Sequence, residues 1–141
     1  MSDRTWEFVD TNVLVYANDL TAGGKRERAA DLVSAIWKQR SGCVSIQVLQ
    51  ELYVNLTRKV PQPLDGRPAS RIVTDLAQWR VHSPQPTDLE AAIEIHLQNR
   101  ISFWDAMIIR SASRLGCSRI WSEDLNPGQI IAGVRVENPF A

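Results

Sequence analysis

Charge of one sign is what this sequence most lacks. Lys plus Arg and Asp plus Glu each number 16 in 141 residues, for a net charge of +0. A strongly basic chain would point to nucleic acid; this balance gives no global signal of that kind and leaves only local patches to bind phosphate. Cysteine is scarce too. Cys43 and Cys117 stand far apart, with no C-x-x-C and no Cys/His cluster, which argues against a zinc site. Both lie among apolar residues and are expected as small buried side chains in a reducing compartment. No run approaches the roughly 18 apolar residues of a membrane span, and Met1–Arg4 opens no signal-peptide core. Together these absences predict a cytoplasmic protein. There is no Walker sequence and no G-x-G-x-x-G, so nucleotide binding lacks support. His82 and His96 match no metal or triad spacing, and no nucleophile elbow accompanies them.

What is present suits one domain, residues 1–141, able to bury a core without staples. Trp6 to Val9 reads as a buried strand, with Asn12 as N-cap of a short helix, Val13 to Ala17. Lys25 to Arg40 is helical by period, and Cys43 to Ser45 is a candidate strand. Gln47 to Lys59 forms the next helix, stopped by Pro61 and Pro63. Gly66 to Ser70 reads as loop, Ile72 to Trp79 as helix and Val81 as a minimal strand. Thr87 to Asn99 is helical, with Thr87 and Glu90 as a capping box. Ser102 to Leu115 is a helix ended by Gly116. Strands follow at Arg119 to Ser122 and Val134 to Val136, with a turn over 124–129. Strands that alternate with helices imply an α/β domain with a mainly parallel sheet and helices on both faces.

In such sheets, sites lie at the carboxyl ends of strands. Asp10 ends the first strand, and Glu123 and Asp124 directly follow the strand at 119–122. Asp10 has a structural alternative as a helix N-terminal anion, but Asn12 is available as the cap. Glu51 shares a polar stripe with Asn55 and Arg58 beside the apolar face of its helix, where a solvated surface is the plain alternative. Asp105 stands at capping-box distance from Ser102, among Phe103, Trp104, Ala106 and Met107; an acid in that company is half-buried and needs a partner. Two carboxylates about 4 Å apart repel by roughly 1 kcal/mol in water and about 4 kcal/mol at an effective dielectric of 20. Several in one cleft require cations, and hard oxygen ligands suit Mg²⁺ or Mn²⁺ and phosphate chemistry. The tryptophans Trp6, Trp37, Trp104 and Trp121 lie on apolar runs and are expected in the core; Trp79 is left undecided.

Four segments, in order, carry a family likeness: FVDTNVLVYA, SIQVLQELYVNLTRK, SFWDAMII and RIWSEDLNPGQ. Over residues 6–140 the chain resembles the PIN-domain nucleases, and within them the VapC-type toxins. The resemblance implies a three-layer PIN-like α/β fold with the acids at the strand ends. It implies Mg²⁺- or Mn²⁺-dependent cleavage of RNA phosphodiesters, leaving 5′-phosphate and 3′-hydroxyl ends, by the toxin of a toxin–antitoxin pair, with an antitoxin partner and a homodimer. Asp10, Glu51 and Asp105 match the first three acids. The Ser/Thr-x-Asp pattern places Ser122 as support and Asp124 as the fourth acid, with Glu123 as competitor. Asn12 matches the asparagine near the first acid. Asp10 and Asp105 would anchor metal, Glu51 and Asp124 would hold a second ion or the attacking water, and Asn12 and Ser122 would orient carboxylates. Arg58 is the candidate phosphate contact, ahead of Arg110. Two rivals stand beside this reading. One is a haloacid-dehalogenase-type phosphatase, which usually needs an Asp where this chain has Asn12; the other is a non-catalytic module that binds RNA or protein.

Overall fold

The computed structural model describes residues 5–141, so the reading of Met1–Arg4 lies outside the described residues. Its sheet has six strands: β1 (Glu7–Val9), β2 (Gly42–Ser45), β3 (Arg80–His82), β4 (Arg119–Trp121), β5 (Ile130–Ile131) and β6 (Val134–Glu137). Their order is β3-β2-β1-β4-β6-β5. All neighbours are parallel except β5 and β6. The strands are short, and the central β1 and β2 are buried throughout, whereas β3, β4 and β6 carry arginines at positions that are not buried. Phe8, Val9, Val44, Ile120 and Val136 form the centre of the core.

Six helices fill the connections: α1 (Thr11–Asn18), α2 (Gly24–Gln39), α3 (Ile46–Val54), α4 (Gly66–Leu76), α5 (Pro86–Asn99) and α6 (Phe103–Arg114). The expected three-layer α/β architecture is the one observed, with α1 against α2 and α5 against α6. From β1 the chain winds outward through β2 to β3, then returns to the other side of β1 as β4. The crevice between β1 and β4 is therefore the topological switch point, where α/β sheets place their sites.

Local expectations needed several corrections. Helix α1 begins at Thr11, with Asp10 itself as N-cap; Asn12 is inside the first turn. The segment expected as loop from Gly66 is the start of α4, because Gly66 and Pro68 both fall in a first turn, where proline loses no hydrogen bond. The capping box of α5 is Gln85 with Asp88, not Thr87 with Glu90: Pro86, at the first helical position, sets the start two residues earlier. The helix expected to run to Lys59 changes at Asn55 into a π-helical turn, Asn55–Lys59. Strand β5 went unexpected, since its hairpin turns on Ala132 and Gly133, both at positive φ, without the usual Asn-Gly signal. The tryptophans also divide. Trp79 is buried, packed where Gly42 has no side chain; Trp6 and Trp121 are partly buried, and Trp37 is exposed and not in the core. Trp104 is 65% exposed and not core.

Candidate active site

Register brings the first two acid-bearing segments together. Val9 pairs with Trp121, so the next residues, Asp10 and Ser122, leave the sheet side by side. Asp10 is 4% exposed. One oxygen accepts the Thr11 backbone N–H at 2.7 Å, and the other accepts the Ser122 hydroxyl at 2.7 Å. Ser122 Oγ in turn accepts the Asp124 N–H at 3.2 Å. Burial pushes the Asp10 carboxyl up to about 7; the Ser122 and Thr11 hydrogen bonds oppose that rise, and the charges of Asp124 and Asp105 add to it.

Asp105 lies in the first turn of α6, where its N–H donates to the Ser102 side chain at 3.0 Å. The capping alternative is thus real: Ser102 accepts the Asp105 N–H and also steadies its carboxylate, which at the same time lies in the field of Asp124. Burial raises its pKa, Ser102 opposes, and the charge of Asp124 raises it further. Glu51, on α3, is raised by burial and by the charge of Asp105; Gln47 and Thr11 oppose, as does the charge of Lys59. Asp10, Asp105 and Asp124 therefore share one field, and Glu51 joins it through Asp105.

Glu123 does not share it. The Tyr16 hydroxyl and the Lys25 ammonium both donate to its carboxylate, at 2.9 and 2.5 Å. Burial works against its ionisation, but these donors outweigh it and hold its carboxyl below the usual range. Asn12 Oδ1 accepts the Glu123 N–H at 3.3 Å and so ties the start of α1 to this loop. Neither Lys25 nor Tyr16 carried a signal in the sequence, since both lie on helices far from Glu123.

Arg58 is exposed on the π-helical turn, and among the described residues it forms no ion pair with the acids. The wider turn alters the helical wheel, and Lys59 is the cation whose charge acts on Glu51. Arg110 is committed elsewhere: its Nε donates to Asp88 at 2.8 Å, while His82 bridges Asp88 at 3.2 Å and Ser111 at 2.7 Å.

Among the described residues, no three His, Cys, Asp or Glu side chains form a group that could hold a metal as they stand. Mg²⁺ does not require one: it commonly binds through one or two carboxylates and keeps several waters. Thr11 Oγ and Asn12 Nδ2, one and two residues after Asp10, are buried and make no well-formed hydrogen bond among the described residues, although Thr11 Oγ lies close enough to Glu51 to steady its carboxylate. Buried polar atoms of this kind fit the hydrated shell of such an ion. The candidate ligands, the carboxylates of Asp10, Glu51, Asp105 and Asp124, are all hard oxygens, which suits Mg²⁺ or Mn²⁺ and not a thiophilic metal.

The family model of the PIN domain matches residues 8–130. A comparison with curated proteins finds no match. Among solved structures the chain is similar to VapC20 of Mycobacterium tuberculosis, described as a sarcin–ricin loop cleaving toxin, with a TM-score of 0.61 and 19% identity, over 81% of this chain and 86% of that one. It is similar to a toxin–antitoxin complex from Klebsiella pneumoniae, with a TM-score of 0.67 and 19% identity over 91% and 94% of the two chains. VapBC2 from Rickettsia felis, bound to a DNA fragment of its promoter, gives a TM-score of 0.68 and 15% identity over 95% and 98%. At such identities the likeness concerns the fold. The haloacid-dehalogenase alternative gains nothing from these matches. With acids gathered at the switch point of the sheet and the family model spanning all but the two ends, this chain belongs to the PIN-domain family.

Proposed function

We propose that the chain is a divalent-metal-dependent ribonuclease that hydrolyses RNA phosphodiester bonds, and the toxin of a toxin–antitoxin pair. The carrying observation is Asp10, a buried carboxyl raised to about 7 in the field of Asp105 and Asp124. Its ionised form is costly near neutral pH unless a cation stands beside it. Asp10 and Asp105 would anchor Mg²⁺ or Mn²⁺, with Asp124 and Glu51 at a second ion or on the attacking water. When bound, the ion supplies an acidified water and offsets charge on the phosphate. Ser122 and Thr11 fix the Asp10 carboxylate, and Asn12 holds the loop that carries Asp124. Burial raises the Glu51 carboxyl above its ordinary value, which makes it a stronger acceptor for a proton of the attacking water. Arg58 remains the proposed phosphate contact, with the charge of Lys59 acting on Glu51.

The antitoxin partner is supported by the Klebsiella and Rickettsia structures, whose descriptions name toxin–antitoxin assemblies. A homodimer is supported by the exposed Leu89, Ile93 and Leu97, spaced by four along α5. No helix among the described residues is long and apolar enough to cross a membrane, which is compatible with the cytoplasmic setting proposed here.

The test is cleavage of a single-stranded RNA by purified protein in Mg²⁺ or Mn²⁺, beside Asp10→Asn and Asp105→Asn. Cleavage that survives either substitution or excess chelator overturns the proposal. One observation favours the non-catalytic reading, namely that among the described residues no three-donor group stands ready for metal. Calorimetric titration with Mg²⁺ separates the two: absence of binding at millimolar concentration supports the non-catalytic module.

A further inference from the structure

Trp104 departs from the apolar neighbourhood in which it stands in the sequence. Its neighbours Ala106 and Ile109 are buried, yet Trp104 projects from the start of α6 and is 65% exposed. Phe103 meets it edge-on, with ring centroids 5.1 Å apart at 74°. Trp104 walls a cavity of about 350 Å³ together with Gln47, Gln50 and Glu51. The Gln47 side-chain amide donates to the Trp104 carbonyl at 3.4 Å, which ties the first turn of α3 to that of α6. The Gln50 amide makes no hydrogen bond among the described residues, so its donor and acceptor are both available.

The place of this cavity matters more than its size. Glu51 is in its wall and Asp105 is the residue after Trp104, so it opens directly beside the acids. Glu51 disfavours a phosphate inside the cavity but not a neutral ring. Indole offers a flat π surface, and a primary amide can meet the hydrogen-bonding edge of a base. We propose that the cavity seats an unpaired RNA base next to the scissile phosphate, stacked on Trp104 with Gln50 at its edge. This rests on the nuclease reading above. A base inside a duplex is already stacked and cannot enter, so the site selects single-stranded segments or loops. Stacking on an aromatic side chain tolerates any base, leaving such preference as exists to Gln50.

The experiment uses the full chain and a short single-stranded RNA with one cleavage position, in Mg²⁺ or Mn²⁺. It compares wild type with Trp104→Ala and Trp104→Phe, each against intact RNA and RNA carrying an abasic nucleotide beside the cut. The expected result is a KM raised roughly 5- to 150-fold in Trp104→Ala, with a smaller change in kcat and most of the loss restored in Trp104→Phe. The abasic position costs the wild type about as much and costs Trp104→Ala nothing further. Equal KM values, or an abasic penalty that is the same in both proteins, overturn the inference. So does a Trp104→Ala variant that loses self-association in sedimentation with KM unchanged, since a second copy would then be the occupant. If the wild type cuts no RNA, the nuclease reading fails on its own account. Fluorescence titration with the same oligonucleotide then decides the stacking: absence of quenching that Trp104→Phe removes overturns it.

Discussion

Replacing Asp10 by Asn should stabilise the metal-free protein while abolishing its chemistry. The Asp10 carboxyl titrates near 7 in the fold against an ordinary value of 3.8. At about 1.36 kcal/mol per pH unit, holding it ionised costs the folded state about 4 kcal/mol above neutral pH. Because the folded pKa is the higher one, the folded state binds the proton more tightly. The contribution of Asp10 to wild-type stability therefore falls as pH rises from about 4 to about 7 and is constant outside that window. Asparagine keeps an acceptor for the Thr11 N–H and is as good an N-cap as aspartate. It loses the acceptor of the Ser122 hydroxyl and the charge at the start of α1, together about 1–2 kcal/mol. The net expectation is about 2 kcal/mol of stabilisation at alkaline pH, or roughly 5–10 °C in Tm. Urea unfolding in excess chelator, at about pH 5 and about pH 8, measures it. The variant should gain at the higher pH and lose that advantage at the lower one, and Mg²⁺ should raise the stability of wild type alone. A variant that is less stable than wild type at the higher pH, or a difference independent of pH, would refute the reasoning.

The fourth acid is decided by a pair of variants: Asp124→Asn should abolish RNA cleavage, whereas Glu123→Gln should retain most of it with some loss of stability. The reverse pattern in initial rates would reassign the site. Gly42→Ala places a Cβ 2.4 Å from the Trp79 ring and should cost about 1–3 kcal/mol, read from urea midpoints; a neutral result would mean that Trp79 moves freely. Asp88→Asn removes the charge shared by Arg110, His82 and the Gln85 N–H and should cost about 2 kcal/mol at neutral pH. Burial opposes the ionisation of Asp88, but these partners hold its pKa below the ordinary value. Its contribution is therefore present above about pH 4 and lost as pH falls further, and unfolding midpoints of wild type and variant should converge in acid.

Much of this protein is fixed by short-range rules. Short apolar-rich segments between amphipathic ones dictate a mainly parallel sheet with covering helices, because central strands such as β1 and β2 are covered on both faces. The position of Asp10 at the end of such a run, and of Asp124 two residues after Ser122, follows from the same local reading. What local rules could not reach are choices among neighbours distant in the chain. Only the pairing of β1 with β4 sets Ser122 against Asp10, and only the fold hands Glu123 to Lys25 and Tyr16 while leaving Asp124 to the acids. The cap of α1 and the starts of α4 and α5 were misread where proline, glycine and aspartate serve turns and first helical turns alike. Trp104 was misread because apolar neighbours along the chain do not determine which side of a helix meets the core. Composition and periodicity established the scaffold and its acids; tertiary contact alone decided which charges share one field and which indole faces water.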